Sequence, residues 1–126
     1  MAEQSQIISD HLAQRLIGQL QEKTEQGKLL WSTGFEDGQF KTLLPGARMA
    51  FVVQVKGNLR RFLVLDDRQE IILKEEITQD ETLEEPILSA KDMLYDGIGN
   101  LQTLASSQAL HVNEKLATAE KLLAEI

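Results

Sequence analysis

Between Leu29 and Lys74 the chain carries five short apolar runs, at 29–33, 40–44, 49–55, 61–65 and 70–74, each separated from the next by only a few turn-forming residues. A parallel pair of strands needs a crossover of a dozen or more residues, and no gap here is that long. Successive runs must therefore pair antiparallel, each with the next, as a four- to five-stranded meander. Asp37-Gly38 is the strongest hairpin signal, because both central positions of a type I′ turn take positive φ. Pro45-Gly46, Lys56-Gly57-Asn58 and Asp66-Asp67-Arg68-Gln69 supply the remaining turns.

The hydrophobic period is 3.6 on both sides of this region. Ile8, Leu12, Leu16, Ile17 and Leu20 predict an amphipathic helix over about 5–26. Ser5 or Ser9 is placed to cap its start and Gly27 to end it. Residues 75–86 read as a solvated acidic connector, with Pro86 at its end. Ser89-Ala90-Lys91-Asp92 resembles a capping box, and Met93, Leu94, Ile98, Leu101, Leu104 and Ala105 follow at helical spacing. Gly97 and Gly99 each weaken a helix by about 1 kcal/mol relative to alanine, which predicts a break near 95–100 with Asn100 capping a second piece. Asn113 is a further N-cap candidate, and Val112, Leu116, Ala119, Leu123 and Ile126 step by 4, 3, 4, 3. The expected fold is α+β, one domain over 1–126: an N-terminal helix, the antiparallel meander, then two C-terminal helices.

Composition narrows the chemistry. The 126 residues include no cysteine, which excludes disulfides, thiol nucleophiles and cysteine-ligated metals. The net charge of −7 argues against a nucleic-acid footprint. A polar start, Met1-Ala2-Glu3-Gln4-Ser5-Gln6, and the lack of an apolar run of about 18 residues predict neither leader nor membrane span, and so a cytoplasmic location. His11 and His111 belong to no spaced ligand pair. Gly97-Ile98-Gly99-Asn100-Leu101-Gln102 follows a helical stretch and carries Gln102 where a third small residue belongs, so it fails as a dinucleotide loop. Asp66, Asp67, Glu70 and Lys74 share a hairpin, but Ile72 stands where a nuclease-type Glu-x-Lys needs its carboxylate. No catalytic, cofactor-binding or metal-ligating residue is assigned, and no enzyme activity or cofactor is expected.

Two features point to association. Phe51-Val52-Val53, Phe62-Leu63-Val64-Leu65 and Ile71-Ile72-Leu73 are continuously apolar, so both sheet faces require cover. Phe51, Val53, Phe62, Val64, Ile71 and Leu73 are the expected core. Charge is also divided: residues 39–65 hold five bases and no acid, whereas 66–96 hold eleven acids and three bases. Arg60 and Arg61 are candidates to meet acids such as Glu75 or Glu76 of a second copy. Leu116, Ala119, Leu123 and Ile126 are the apolar interface candidates, although a seam of two heptads would more simply pack on its own sheet.

Three stretches carry a resemblance. They are Leu20-Gln21-Glu22-Lys23-Thr24-Glu25-Gln26-Gly27-Lys28-Leu29-Leu30-Trp31, the meander with Asp66-Asp67 before Ile71-Ile72, and Ser107-Gln108-Ala109-Leu110-His111-Val112-Asn113-Glu114-Lys115-Leu116. In this order they resemble a loose group of small uncharacterised bacterial proteins: an N-terminal helix, a "KTxxGxLxW" entry into a meander, then C-terminal helices. The resemblance implies the fold and transfers no functional residue. This chain departs from the group in its longer acidic connector and its Gly97/Gly99 pair. The expected function is a non-catalytic protein-interaction module that forms a homodimer, with no nucleic-acid or membrane partner. The alternative is a carrier of small apolar ligands or lipids, with a pocket between curved sheet and helices.

Overall fold

In a computed structural model all five runs become strands of one sheet. The structure describes residues 2–44, 46–78 and 87–126, with the side chains of 2–9 and 87–89 excepted. Helix α1 spans Ala2–Glu25, followed by β1 (Trp31–Thr33), β2 (Gln39–Leu43), β3 (Ala50–Lys56), β4 (Leu59–Leu65), β5 (Ile71–Ile77) and helix α2 (Ile87–Ala124). The strands lie in sequence order, every neighbour antiparallel. Ser5 and Ser9 lie inside α1 and Ser89 inside α2, so none of them is the expected N-cap; the turn residue Pro45 and most of the acidic connector lie outside the described residues.

The turns follow from local geometry. Helix α1 ends as Gly27 requires: its φ is +74°, its N–H donates to Thr24 O, and Lys28 N–H reaches back to Lys23 O. At Asp37-Gly38 only Gly38 takes positive φ, so the expected type I′ turn is replaced by a longer loop. A Cβ on Gly38 would run into the carbonyl of Val55, which explains the glycine. In the last hairpin Asp66 Oδ1 accepts from both Arg68 N–H and Glu70 N–H at 2.9 Å, holding the turn closed.

Both helices lie on one side of the sheet. The inward row of each strand can be read from the register: Phe40, Val53, Phe62 and Glu75 lie opposite one another, as do Thr42, Phe51, Val64 and Leu73. Phe51 and Phe62 stack with centroids 6.4 Å apart, and Ile17, Leu20, Leu94, Ile98 and Leu101 close over them. Four of the six expected core residues, Phe51, Val53, Phe62 and Val64, are buried, and Leu73 packs against the core from partial burial. Ile71 is 54% exposed, contrary to expectation. A register shift at Val64/Leu65 and the continuation of β5 to Ile77 move the covered part of that strand toward Glu75 and Ile77.

The expectation of two C-terminal helices is corrected: one helix of 38 residues runs from Ile87 to Ala124. Gly97 and Gly99 do not break it: the buried face of α2 runs through Leu94, Ile98 and Leu101 on either side of both. A Cβ on Gly97 would touch Ile17 Cγ2 at 3.5 Å, and one on Gly99 would overlap the Arg60 guanidinium. The close approach at Gly99 accounts for a glycine there despite a helix-propensity cost of about 1 kcal/mol, whereas Gly97 has room for a methyl. Asn100 and Asn113 are therefore interior helical residues rather than caps.

Candidate interaction surfaces

The expected interface residues divide into two groups that do different things. Arg60 lies on the inward row of β4 and crosses α2 at Gly99. Its Nη1 donates to the Tyr95 carbonyl at 2.7 Å, and its guanidinium carbon stands 3.8 Å above the centre of the Tyr95 ring. Arg61 points to the opposite face. Its Nε is 2.8 Å from Glu76 Oε1, its Nη1 is 3.8 Å from Glu36 Oε2, and Nη1 also donates to Gln54 Oε1. Both arginines are thus engaged within one chain. So is Glu75, which is 3% exposed on the inward face with Lys91 Nζ at 3.6 Å. Lys91 reaches Asp10 Oδ1 at 3.1 Å, so one ammonium ties α1, α2 and β5 together. Glu75 and Glu76 belong to β5, not to a solvated connector.

Leu116, Ala119, Leu123 and Ile126 behave differently. Within the body, α2 turns Ala90, Leu94, Ile98, Leu101, Ala105 and Ala109 inward, all buried. The stripe continues through Val112, Leu116, Ala119, Leu123 and Ile126, but every residue from Asn113 onward is exposed. The expected packing of this seam on its own sheet does not occur. The body ends at Gln108, whose Nε2 donates to Leu29 O while its Oε1 accepts from Trp31 N–H. This amide pairs with the free edge of β1 and locks α2 to the sheet at the base of the projecting segment. Beyond it the helix forms an arm of about 20 Å, at 1.5 Å per residue. The 4-3 spacing indicated the stripe; nothing in the sequence indicated where its cover stops.

The outward face of the sheet is the other uncovered surface. Its central row reads Ser32, Lys41, Val52, Leu63, Lys74 across the five strands. Lys41 Nζ bonds Gln69 Oε1 at 3.4 Å, which joins β2 to the β4–β5 turn across the strands between. Beside this bridge lies an open groove of about 450 Å³. Sequence reading missed this groove; the two-sided apolar runs at β3 and β4 were its only trace. Between sheet and helices, where the carrier reading placed a pocket, a cleft of about 390 Å³ is lined by Leu16, Leu20, Lys23, Leu29, Leu44 and Phe51, while Phe62, Leu94, Ile98 and Leu101 fill the space deeper in.

Among the described residues no three His, Cys, Asp or Glu side chains converge as a metal site, and no helix is long and apolar enough to cross a membrane. Comparison with protein-family models, with curated proteins and with solved structures returns no match.

Proposed function

We propose that this protein is a non-catalytic interaction module that forms a homodimer through the C-terminal arm of α2. The observation that carries this reading is the unbroken stripe: the helix face that is buried from Ala90 to Ala109 runs on bare from Asn113 to Leu123, with Ile126 just past the helix end. Leu116, Leu123 and Ile126 are 62%, 71% and 102% exposed. An apolar stripe at coiled-coil spacing takes a second helix as its natural cover. Symmetric dimers are also the commonest assemblies of identical chains.

The body restricts how the second helix can lie. A parallel, in-register partner would set its Ala109 beside the first, where the edge of β1 already stands. An antiparallel partner avoids this, because its tip approaches the base of the first arm while its body lies beyond the first arm's end. Leu116 then faces Ala119 of the other copy and Val112 faces Leu123, a large residue against a small or branched one in each layer.

Light scattering on the full chain at high micromolar concentration is expected to return twice the 14.2 kDa chain mass. The Leu116→Glu/Leu123→Glu variant is expected to return one chain mass with unchanged circular dichroism of the body, since neither side chain is buried. A single-chain mass for the unaltered protein, or a dimer that survives both glutamates, overturns the reading.

A further inference from the structure

We infer that the outward groove of the sheet is a binding site for a small amphiphile with an anionic head, of the medium-chain carboxylate class. This inference concerns the face opposite the helices and does not depend on dimer formation. The groove floor is Val52, Leu63 and Leu65, and its volume of about 450 Å³ lies within the range of small-molecule sites. Phe35 stands at its rim, 105% exposed, the most exposed aromatic side chain described. Its position is built rather than incidental. Gln39 Oε1 accepts from Phe35 N–H at 3.0 Å, Gly34 N–H donates to Gln39 O at 2.7 Å, and a side chain on Gly34 would overlap that of Gln39. The loop is thus pinned from beneath with the ring left free to close on a ligand.

Charge chooses the head group. In a chain of net charge −7, no carboxylate among the described residues lines this groove, and of those residues Lys41 is its one ionic side chain. Among the described residues no acid lies within ion-pair distance of Lys41; its ammonium meets the neutral amide of Gln69. The nearby bases and acids of this face pair with each other: Arg61 with Glu36 and Glu76, and Lys74 with Glu76. An ammonium without an acidic partner beside an apolar floor is completed by a carboxylate whose chain lies along Val52, Leu63 and Leu65, with the Phe35 ring folding over it. A cationic or neutral head leaves Lys41 with its amide partner alone.

The test uses the full chain, labelled for NMR and titrated with octanoate, octanol and octyltrimethylammonium. Octanoate is expected to shift the Phe35, Val52 and Leu63 resonances saturably, with affinity rising about threefold for each methylene added from hexanoate upward. Lys41→Gln is expected to weaken octanoate about fivefold while leaving octanol unchanged. Phe35→Ala is expected to weaken both, and it cannot unfold the protein because the ring is wholly in solvent. Equal binding of all three heads, shifts confined to the helical face, or no saturable shift at millimolar octanoate would overturn the inference. So would groove resonances that move on dilution without ligand, which would assign the groove to a second copy of the chain.

Discussion

Replacing Gly99 by alanine sets helix propensity directly against a tertiary contact. Propensity alone says that Gly99→Ala stabilises the interior of α2 by about 1 kcal/mol. The structure says that the new methyl overlaps the Arg60 guanidinium. Arginine is flexible, so it swings away rather than straining the backbone, and the cost is the contact it abandons. That contact is a charge-assisted hydrogen bond to Tyr95 O plus a stacking on the Tyr95 ring. Such bonds contribute about 1.5–3 kcal/mol, and the cation–π term about 0.5–1 kcal/mol at a partly exposed site. Taking the lower ends, because Arg60 is only half-buried, gives a loss of about 2 kcal/mol against a gain of about 1 kcal/mol. Gly99→Ala is therefore expected to destabilise by about 1 kcal/mol in urea unfolding, whereas in an Arg60→Ala background it is expected to stabilise by about the same amount. Gly97→Ala is the control: its methyl meets Ile17 Cγ2 at an ordinary 3.5 Å, so it is expected to stabilise in either background. A coupling between positions 60 and 99 below about 0.5 kcal/mol would refute the account of why α2 is continuous.

Two further perturbations test the body. Phe62→Ala, at the fully buried centre of β4, is expected to cost about 3–5 kcal/mol in chemical denaturation, and a shift below about 1 kcal/mol would refute the core described here. Lys91→Ala removes the ammonium that the buried Asp10 and Glu75 share. It is expected to cost about 3 kcal/mol, and Lys91→Arg, which keeps the charge, to cost markedly less by the same denaturation assay.

The meander was legible because its turns are short and chemically explicit, leaving only one way to pair successive strands. The helices were less so, because their decisive contacts join residues far apart in the chain. Gly97 and Gly99 read as breaks when only local propensity is weighed; Arg60 is the reason for Gly99, and nothing in the structure requires glycine at 97. Glu75 read as part of a solvated acidic run, yet alternation along β5 places it inward, and Lys91 makes that burial tolerable. Likewise the inward face of α1 runs through Asp10 and Thr24, two polar residues that a purely apolar stripe passes over. Thr24 is there because its Oγ1 accepts from Trp31 Nε1 at 2.8 Å and donates to Leu20 O, satisfying a buried indole. Of the surfaces proposed for binding, the arm's stripe was visible as spacing, while the groove is assembled from the 33–35 loop, β2, β3, β4 and Gln69, a juxtaposition that no residue count reveals.

The charge division in the sequence now has an intramolecular meaning. The basic early strands and the acidic segment after them meet within one chain where Arg61 pairs with Glu76 across the β4–β5 ladder, and Glu75 is met by Lys91 of its own segment, between helix and sheet. What is left for association is the arm, where Glu114, Lys115, Glu120, Lys121 and Glu125 alternate in sign around an apolar stripe. In the antiparallel arrangement the positions flanking that stripe bring Asn113 toward Glu120 and Lys115 toward Leu122, so no ion pair crosses the contact. Dimerisation driven by Leu116, Leu123 and Ile126 should then be nearly indifferent to salt. A parallel arrangement would instead set Lys115 of each copy against Glu120 of the other, and such exposed pairs weaken as ionic strength rises. The salt dependence of the dimer's dissociation constant therefore reads out the direction of the two arms: a flat response from low to high salt follows from antiparallel packing, and a steep loss of affinity would mean that the arms run side by side and the bodies yield to let them.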